Sequence, residues 1–245
     1  MRNIKLTIAY DGTAYKGWQV QKNGRTVQGE LQKAVKKVFG AGHCVHGAGR
    51  TDAGVHAIAQ VANFKTSGKI HVENIKAALN ALLPVDIAVK DAEEVPAGFH
   101  SRFTPSRKYY RYDILNQQDR DPFCEKYSWR VPYKLNTSLM KREASCLQGR
   151  HDFKSFQASD KRQRSSVRRI FNIRVTSRKP HLSVDIEGEG FLYNMVRNIV
   201  GTLVDIGRGY LPPGSMKKIL KAKKRSEAGP TAPAKGLFLV KIVYD

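Results

Sequence analysis

Cysteine is scarce in this chain: Cys44, Cys124 and Cys146 are three in 245 residues, too few and too widely spaced for a disulfide framework. Their number is odd and no CxxC pair occurs, so a reducing, cytoplasmic setting is expected. No apolar run approaches ~18 residues, so no transmembrane helix is expected. The opening Met1-Arg2-Asn3-Ile4-Lys5-Leu6 alternates at once, without the apolar core of a signal peptide. Acidic residues are also in short supply, 21 against 43 Lys plus Arg, a formal net charge of +22. Self-repulsion on that scale costs stability, which points to a polyanionic partner. A membrane surface would call for a basic amphipathic segment with bulky apolar residues opposite, and the nearest, Lys217-Lys218-Ile219-Leu220-Lys221, is short. Nucleic acid is favoured.

What is present is a globular chain. Hydrophobic residues make up 41%, and the length suits one large domain or two ordinary ones. Ile4, Leu6, Ile8 and Tyr10 alternate as a half-buried strand turned at Asp11-Gly12. Val27, Leu31, Ala34, Val35 and Val38 recur at helical spacing after Thr26, a plausible N-cap, and Gly40 ends them. The spacing predicts a helix from Val72 to Pro84, then a strand over Val85 to Val89. Thr104-Pro105-Ser106 marks the expected boundary, giving domains 1–105 and 106–245. Beyond it a strand is expected over Lys108 to Asn116, with Tyr110, Tyr112 and Ile114 on one face, and a helix capped by Asn136. Two strands follow near Arg168–Thr176 and Leu182–Ile186, then a helix from about Phe191 and a strand over Leu237 to Tyr244. The reading is α/β (α+β): two similar units of mixed or antiparallel sheet with helices on one face.

Residues 47–57, Gly47-Ala48-Gly49-Arg50-Thr51-Asp52-Ala53-Gly54-Val55-His56-Ala57, carry the strongest chemical signal. A carboxylate stands two residues after a guanidinium and two before a glycine, in a loop whose glycines permit φ > 0. The Gly-x-Gly opening is not a dinucleotide fingerprint, because Asp52 occupies the third glycine's place and would repel a pyrophosphate. No Lys-Ser/Thr pair follows to make a P-loop. The plain alternative is an Asx-type turn in which Asp52 only caps backbone amides.

Cations interleave with aromatics elsewhere. Phe99-His100-Ser101-Arg102-Phe103, Arg107-Lys108-Tyr109-Tyr110-Arg111-Tyr112 and Lys161-Arg162-Gln163-Arg164-Ser165-Ser166-Val167-Arg168-Arg169 can join phosphate contacts to base stacking. Any one of them alone is an ordinary solvated face, and Tyr112 alone an ordinary core residue. Arg102, Arg111, Arg162, Arg164 and Arg168 are the candidate RNA contacts in these runs. His43-Cys44-Val45-His46 prompts a metal check, but no second ligand pair stands at zinc-finger spacing, so no metal is expected.

Taken in order, these blocks resemble the tRNA pseudouridine synthase A family over nearly the whole chain. Tyr10 to Gln21 is similar to the family's opening segment and Gly49 to His56 to its catalytic loop. Phe99 to Phe103, Tyr110-Arg111-Tyr112, Phe191 to Gly201 and Lys235 to Leu239 are similar to the later blocks. The resemblance implies isomerisation of uridine to pseudouridine at positions 38, 39 and 40 in the anticodon stem-loop of tRNA. It also implies two similar domains with an active-site cleft between them, a homodimer, and neither metal nor organic cofactor. By matched position Asp52 is the nucleophile, Arg50 its loop partner and Tyr110 the residue stacked on the target base. Arg197, in the late-helix block, is counted with the substrate-binding cations. Arg50 would favour an ionised Asp52 and could fill the space left by an extruded base, and Tyr110 has a phenol able to move a proton. Whether the carboxylate attacks ribose C1′ or C6 of the base stays open. A non-enzymatic RNA-binding protein or RNA chaperone would explain the charge but leave Asp52 without a task. A metal-dependent nuclease would want clustered carboxylates.

Overall fold

The computed structural model describes residues 1–159 and 165–244. The chain divides into two compact units, Met1–Ser106 with Phe238–Asp245, and Arg107–Leu237. In the first, β1 (Arg2–Tyr10) is the central antiparallel partner of β3 (His56–Thr66) and β4 (Ile87–Val95), with the short β2 (His46–Gly47) along β3. Ile4 lies opposite Phe64 and Leu6 opposite Ala62, so one face of the sheet is continuously apolar. Helices α1 (Val27–Phe39) and α2 (Val72–Asn80) bury Val27, Leu31, Val35, Ile75 and Leu79. Each such side chain stabilises the fold by roughly 1.5–3 kcal/mol relative to exposure. Thr26 does cap α1, its Oγ1 accepting from the Gly29 amide at 3.3 Å.

The second unit pairs β5 (Pro105–Leu115) with β9 (His181–Gly188), β9 with β8 (Val167–Arg178), and β8 with β7 (Gly149–Asp152), all antiparallel. β6 (Trp129–Arg130) runs parallel to the end of β5. Tyr112, Ile114, Leu182, Val184 and Ile186 form the apolar face, and Met195, Ile199, Val200, Leu203 and Ile206 of α4 (Met195–Gly207) are buried with them. α3 (Thr137–Ser145), capped by Asn136 Oδ1 at 2.9 Å from the Leu139 amide, and α5 (Ser215–Ala222) complete the layer. β10 (Leu237–Tyr244) pairs in parallel with β3, Phe238 beside His56.

Three expectations are corrected. The closing strand groups with the first unit, although chain order suggested the second; its partner is β3, an intra-sheet contact that local sequence cannot announce. Val85 lies outside β4 and is fully exposed, the strand beginning at Ile87. The late helix begins four residues after Phe191, because Asn194 adopts φ 58°, a left-handed cap conformation that the helix interior does not allow.

Candidate active site

The segment from Ala48 to Val55 joins β2 to β3, and its backbone is bonded on both sides of Asp52. Gly49 O accepts from Gln60 Nε2 at 3.0 Å, and Thr51 O accepts from the Trp18 amide at 3.1 Å. Thr51 Oγ1 and Tyr10 Oη share a buried hydrogen bond of 2.8 Å. Burial pushes the Tyr10 phenol well above its ordinary pKa, so it stays neutral and serves as a fixed dipole. After Asp52, the Val55 amide donates to Asp52 O at 3.2 Å and the Gly54 amide to Tyr15 O at 3.3 Å. That turn needs φ 76° at Gly54, a left-handed conformation that favours glycine. Thr51 is buried while Arg50 is exposed and Asp52 half-buried, so the loop roots its middle residue and presents the charged ones.

The opening segment is the loop's brace. Gly12 lies so close that a Cβ there would stand 2.0 Å from Val55 O. Its amide donates to His56 Nδ1 at 3.1 Å, and Asp11 Oδ1 lies 3.2 Å from the same nitrogen. The His56 ring is stacked on Phe238 at 4.8 Å between centroids. Tyr15, whose carbonyl holds Gly54, is itself anchored: its hydroxyl donates to Asp86, which also accepts both Arg25 Nη atoms at 2.8 and 3.1 Å. The Arg25 guanidinium lies over the Tyr15 ring at 4.5 Å. A carboxylate mounted this way is preorganised, because neither neighbour can relax without breaking buried bonds. Tyr10, Gln60 and His56 were not singled out by sequence reasoning. Tyr10 and His56 lie inside the two quoted motifs, but only pairing across β1 and β3 reveals their bonds.

In the second unit Tyr110 is half-buried and meets Phe191 edge-on at 5.2 Å. Tyr112 shares its face but is wholly buried, donating to Pro233 O at 2.7 Å. Arg111 points to the opposite face, where its Nε donates to Asp185 Oδ1 at 2.8 Å. Arg197 donates to Ala232 O at 2.7 Å and Asn194 Oδ1 at 3.1 Å, and Arg168 to Ser165 O and Val167 O at 2.9 and 2.6 Å. Arg102 belongs to the first unit, its guanidinium 5.6 Å from the Phe103 ring. Arg162 and Arg164 lie outside the described residues. The structure therefore assembles Arg50 and Asp52 on one braced loop, with Tyr110 and Arg197 in the other unit, and it turns Arg111 away from Tyr110.

Among the described residues no group of three or more His, Cys, Asp or Glu side chains converges as a metal site. His43 is engaged by Thr66 Oγ1 at 3.0 Å and by the Phe39 and Phe64 rings. No helix among the described residues is long and apolar enough to cross a membrane.

A braced, half-buried carboxylate between sheet strands, in a chain of +22 charge, fits chemistry on an anionic polymer. The profile of the family described as tRNA pseudouridine synthase matches residues 6–104 and 144–245, and the chain belongs to that family. It is 48% identical over 244 residues to the tRNA pseudouridine synthase A of Thermoanaerobacter sp. (strain X514), covering 100% of both chains. It is 47% identical over 243 residues to that of Moorella thermoacetica (strain ATCC 39073 / JCM 9320), covering 98% of this chain and 99% of the other. Among solved structures it is similar to a chain in the crystal structure of a Cbf5-Nop10-Gar1 complex, at 12% identity and a TM-score of 0.34, covering 82% of this chain and 54% of that one. The family is one of isomerases, and a non-enzymatic RNA-binding role is not favoured.

Proposed function

We propose that this chain converts uridine to pseudouridine at positions 38, 39 and 40 in the anticodon stem-loop of tRNA, with Asp52 as nucleophile. The observation that carries the reading is the braced loop: the residues flanking the one carboxylate in Gly49–His56 are held, Thr51 by Tyr10 and Trp18 and Gly54 by Tyr15. The reaction breaks the N1–C1′ bond, turns the uracil and joins C5 to C1′, the C5 proton leaving and N1 gaining one. Atoms balance without an oxidant or a co-substrate. The detached base has to be kept beside the sugar, which favours a fixed nucleophile over a mobile one. Asp52 in its ionised form adds to C1′ or to C6 of the base. Arg50 supplies a positive charge that favours that ionised form and occupies the space of the extruded base. Tyr110 stacks on the base and supplies the phenol that moves the C5 proton. Arg102, Arg111, Arg162, Arg164, Arg168 and Arg197 serve the phosphates.

The chain is further proposed to act as a homodimer in the cytoplasm, without metal or organic cofactor, in line with its family resemblance and its three free cysteines. The test is incubation of the purified chain with unmodified tRNA, in spermidine with exhaustive chelation, followed by mapping of pseudouridine. Product at positions 38 to 40 supports the reading, and activity lost under chelation but restored by zinc alone overturns its metal-free part. Asp52→Asn keeps the size and turn capacity of the side chain but not its nucleophilicity, so binding without product is expected. Substantial turnover by that variant removes Asp52 from the nucleophile role.

A further inference from the structure

Beside the catalytic loop, the first unit carries three aromatic rings in a staircase. His46 and His100 have centroids 4.8 Å apart, and His100 and Phe103 4.5 Å, each pair tilted by 41°. Phe103 is 76% exposed, so its ring is open to a ligand. Arg102 fringes the last step, 5.6 Å from the Phe103 ring, and the His100 pKa is depressed. Burial contributes most to that depression, followed by His46, and the ring's neutral form is thereby favoured. The Arg102 amide donates to His100 Nδ1 at 3.1 Å, which fixes Nε2 as the protonated nitrogen of the neutral ring.

What lies beneath argues against an accidental cluster. Ser101, wholly buried between His100 and Arg102, donates from Oγ to His46 O at 2.6 Å and from its amide to Asn63 Oδ1 at 3.0 Å. Asn63 donates to Asn3 Oδ1 at 2.9 Å, and Asn3 donates to Pro96 O and Phe99 O at 3.1 and 2.9 Å. Tyr244 Oη donates to Ser101 O at 2.8 Å. A satisfied buried network is a costly way to hold an exposed loop, and it makes the platform rigid before any ligand arrives.

We infer that His46, His100 and Phe103 form a stacking platform for an unpaired base of the same tRNA, with Arg102 on the adjoining phosphate. Stacking on a rigid aromatic ring beside cations is how single-stranded RNA is held, and the chain's +22 charge favours a polyanion here over an apolar peptide. His46 precedes Asp52 by six residues, a reach of at most roughly 20 Å. The inference rests on the tRNA reading proposed above.

The experiment uses the full chain and an anticodon stem-loop RNA, with pseudouridine formation by the parent deciding the tRNA reading itself. Phe103→Ala should raise KM about tenfold while moving kcat little, as loss of a binding contact does, and Phe103→Trp should restore it. Phe103→Leu keeps apolar bulk without a π-face and should resemble Ala. Abasic substitution near the target should locate one nucleotide whose loss raises KM for the parent but not for Phe103→Ala. With an active parent, unchanged KM in Phe103→Ala, full rescue by Leu, or abasic effects that simply add to the variant's would each overturn the platform. A flattened salt dependence in Arg102→Ala with a silent Phe103→Ala would leave an electrostatic patch in its place.

Discussion

At the scale of single residues, two titratable groups have contrasting surroundings. Asp113 on β5 is largely buried, and that burial pushes its carboxyl up to about 6, partly opposed by Arg111 and reinforced by Asp185. A raised folded-state pKa means the folded chain binds the proton more tightly than the unfolded one between pH ~4 and ~6. Asp113 therefore detracts from stability as pH rises through that window, and the loss is complete above it. Asp113→Asn should gain stability relative to the parent from pH 4 to 7, read from urea midpoints at each pH, and an equal midpoint difference at both ends would refute the shift. Tyr110 is the second case. Its edge contact with Phe191 survives in Tyr110→Phe, so that variant keeps the packing of the ring. If the phenol moves the C5 proton, single-turnover rate should still fall at least roughly a hundredfold. An unchanged rate would leave Tyr110 a stacking role only, and a melting loss of ~3–5 kcal/mol in Tyr110→Ala would make it core.

At the scale of elements, the turn after β1 and the loop before β3 behave as one part. Gly12→Ala would drive a methyl to 2.0 Å from Val55 O, and the backbone amides of Gly12 and Val55 are both held by other bonds. Overpacking of this kind costs typically 1–3 kcal/mol, and the displaced residue stands three from Asp52. Activity should therefore fall much further than the folded fraction, measured at a temperature where circular dichroism reports a folded variant. Thr26→Ala is the matched control. It removes the α1 cap, costs ~1 kcal/mol, and should lower Tm by a few degrees while turnover at 25 °C holds. Similar activity losses in the two variants would show that the turn does not specifically brace Asp52.

For the whole molecule, charge decides the behaviour. With 43 basic against 21 acidic residues, association with tRNA should release counterions, and affinity should fall by orders of magnitude from low to moderately high salt. Neutralising Arg162, Arg164 and Arg168 together should lower that slope in filter binding across a salt series. A salt-independent Kd would assign the basic surface another task.

Much of this protein is local in origin and could be read directly. The alternation of Ile4, Leu6, Ile8 and Tyr10, the Thr26 and Asn136 caps and the helical spacing after them are patterns of neighbouring residues, and the elements formed where those patterns lie. The Gly49–His56 loop was legible because the chemistry needs particular residue types at close spacing, and its ordered companions identified the family. Other features depended on residues brought together from afar. The closing strand joined the first unit through β3, and Thr51, the residue before Asp52, is held by Tyr10 and Trp18, more than thirty residues upstream. Arg111 was read from its run of cations, while the ion pair its guanidinium makes with Asp185 was set by the register of β5 and β9. Sequence determines periodicity, caps and motif chemistry because these act over a turn or a strand; partners of buried polar groups are chosen by sheet register, which exists only once the chain has folded.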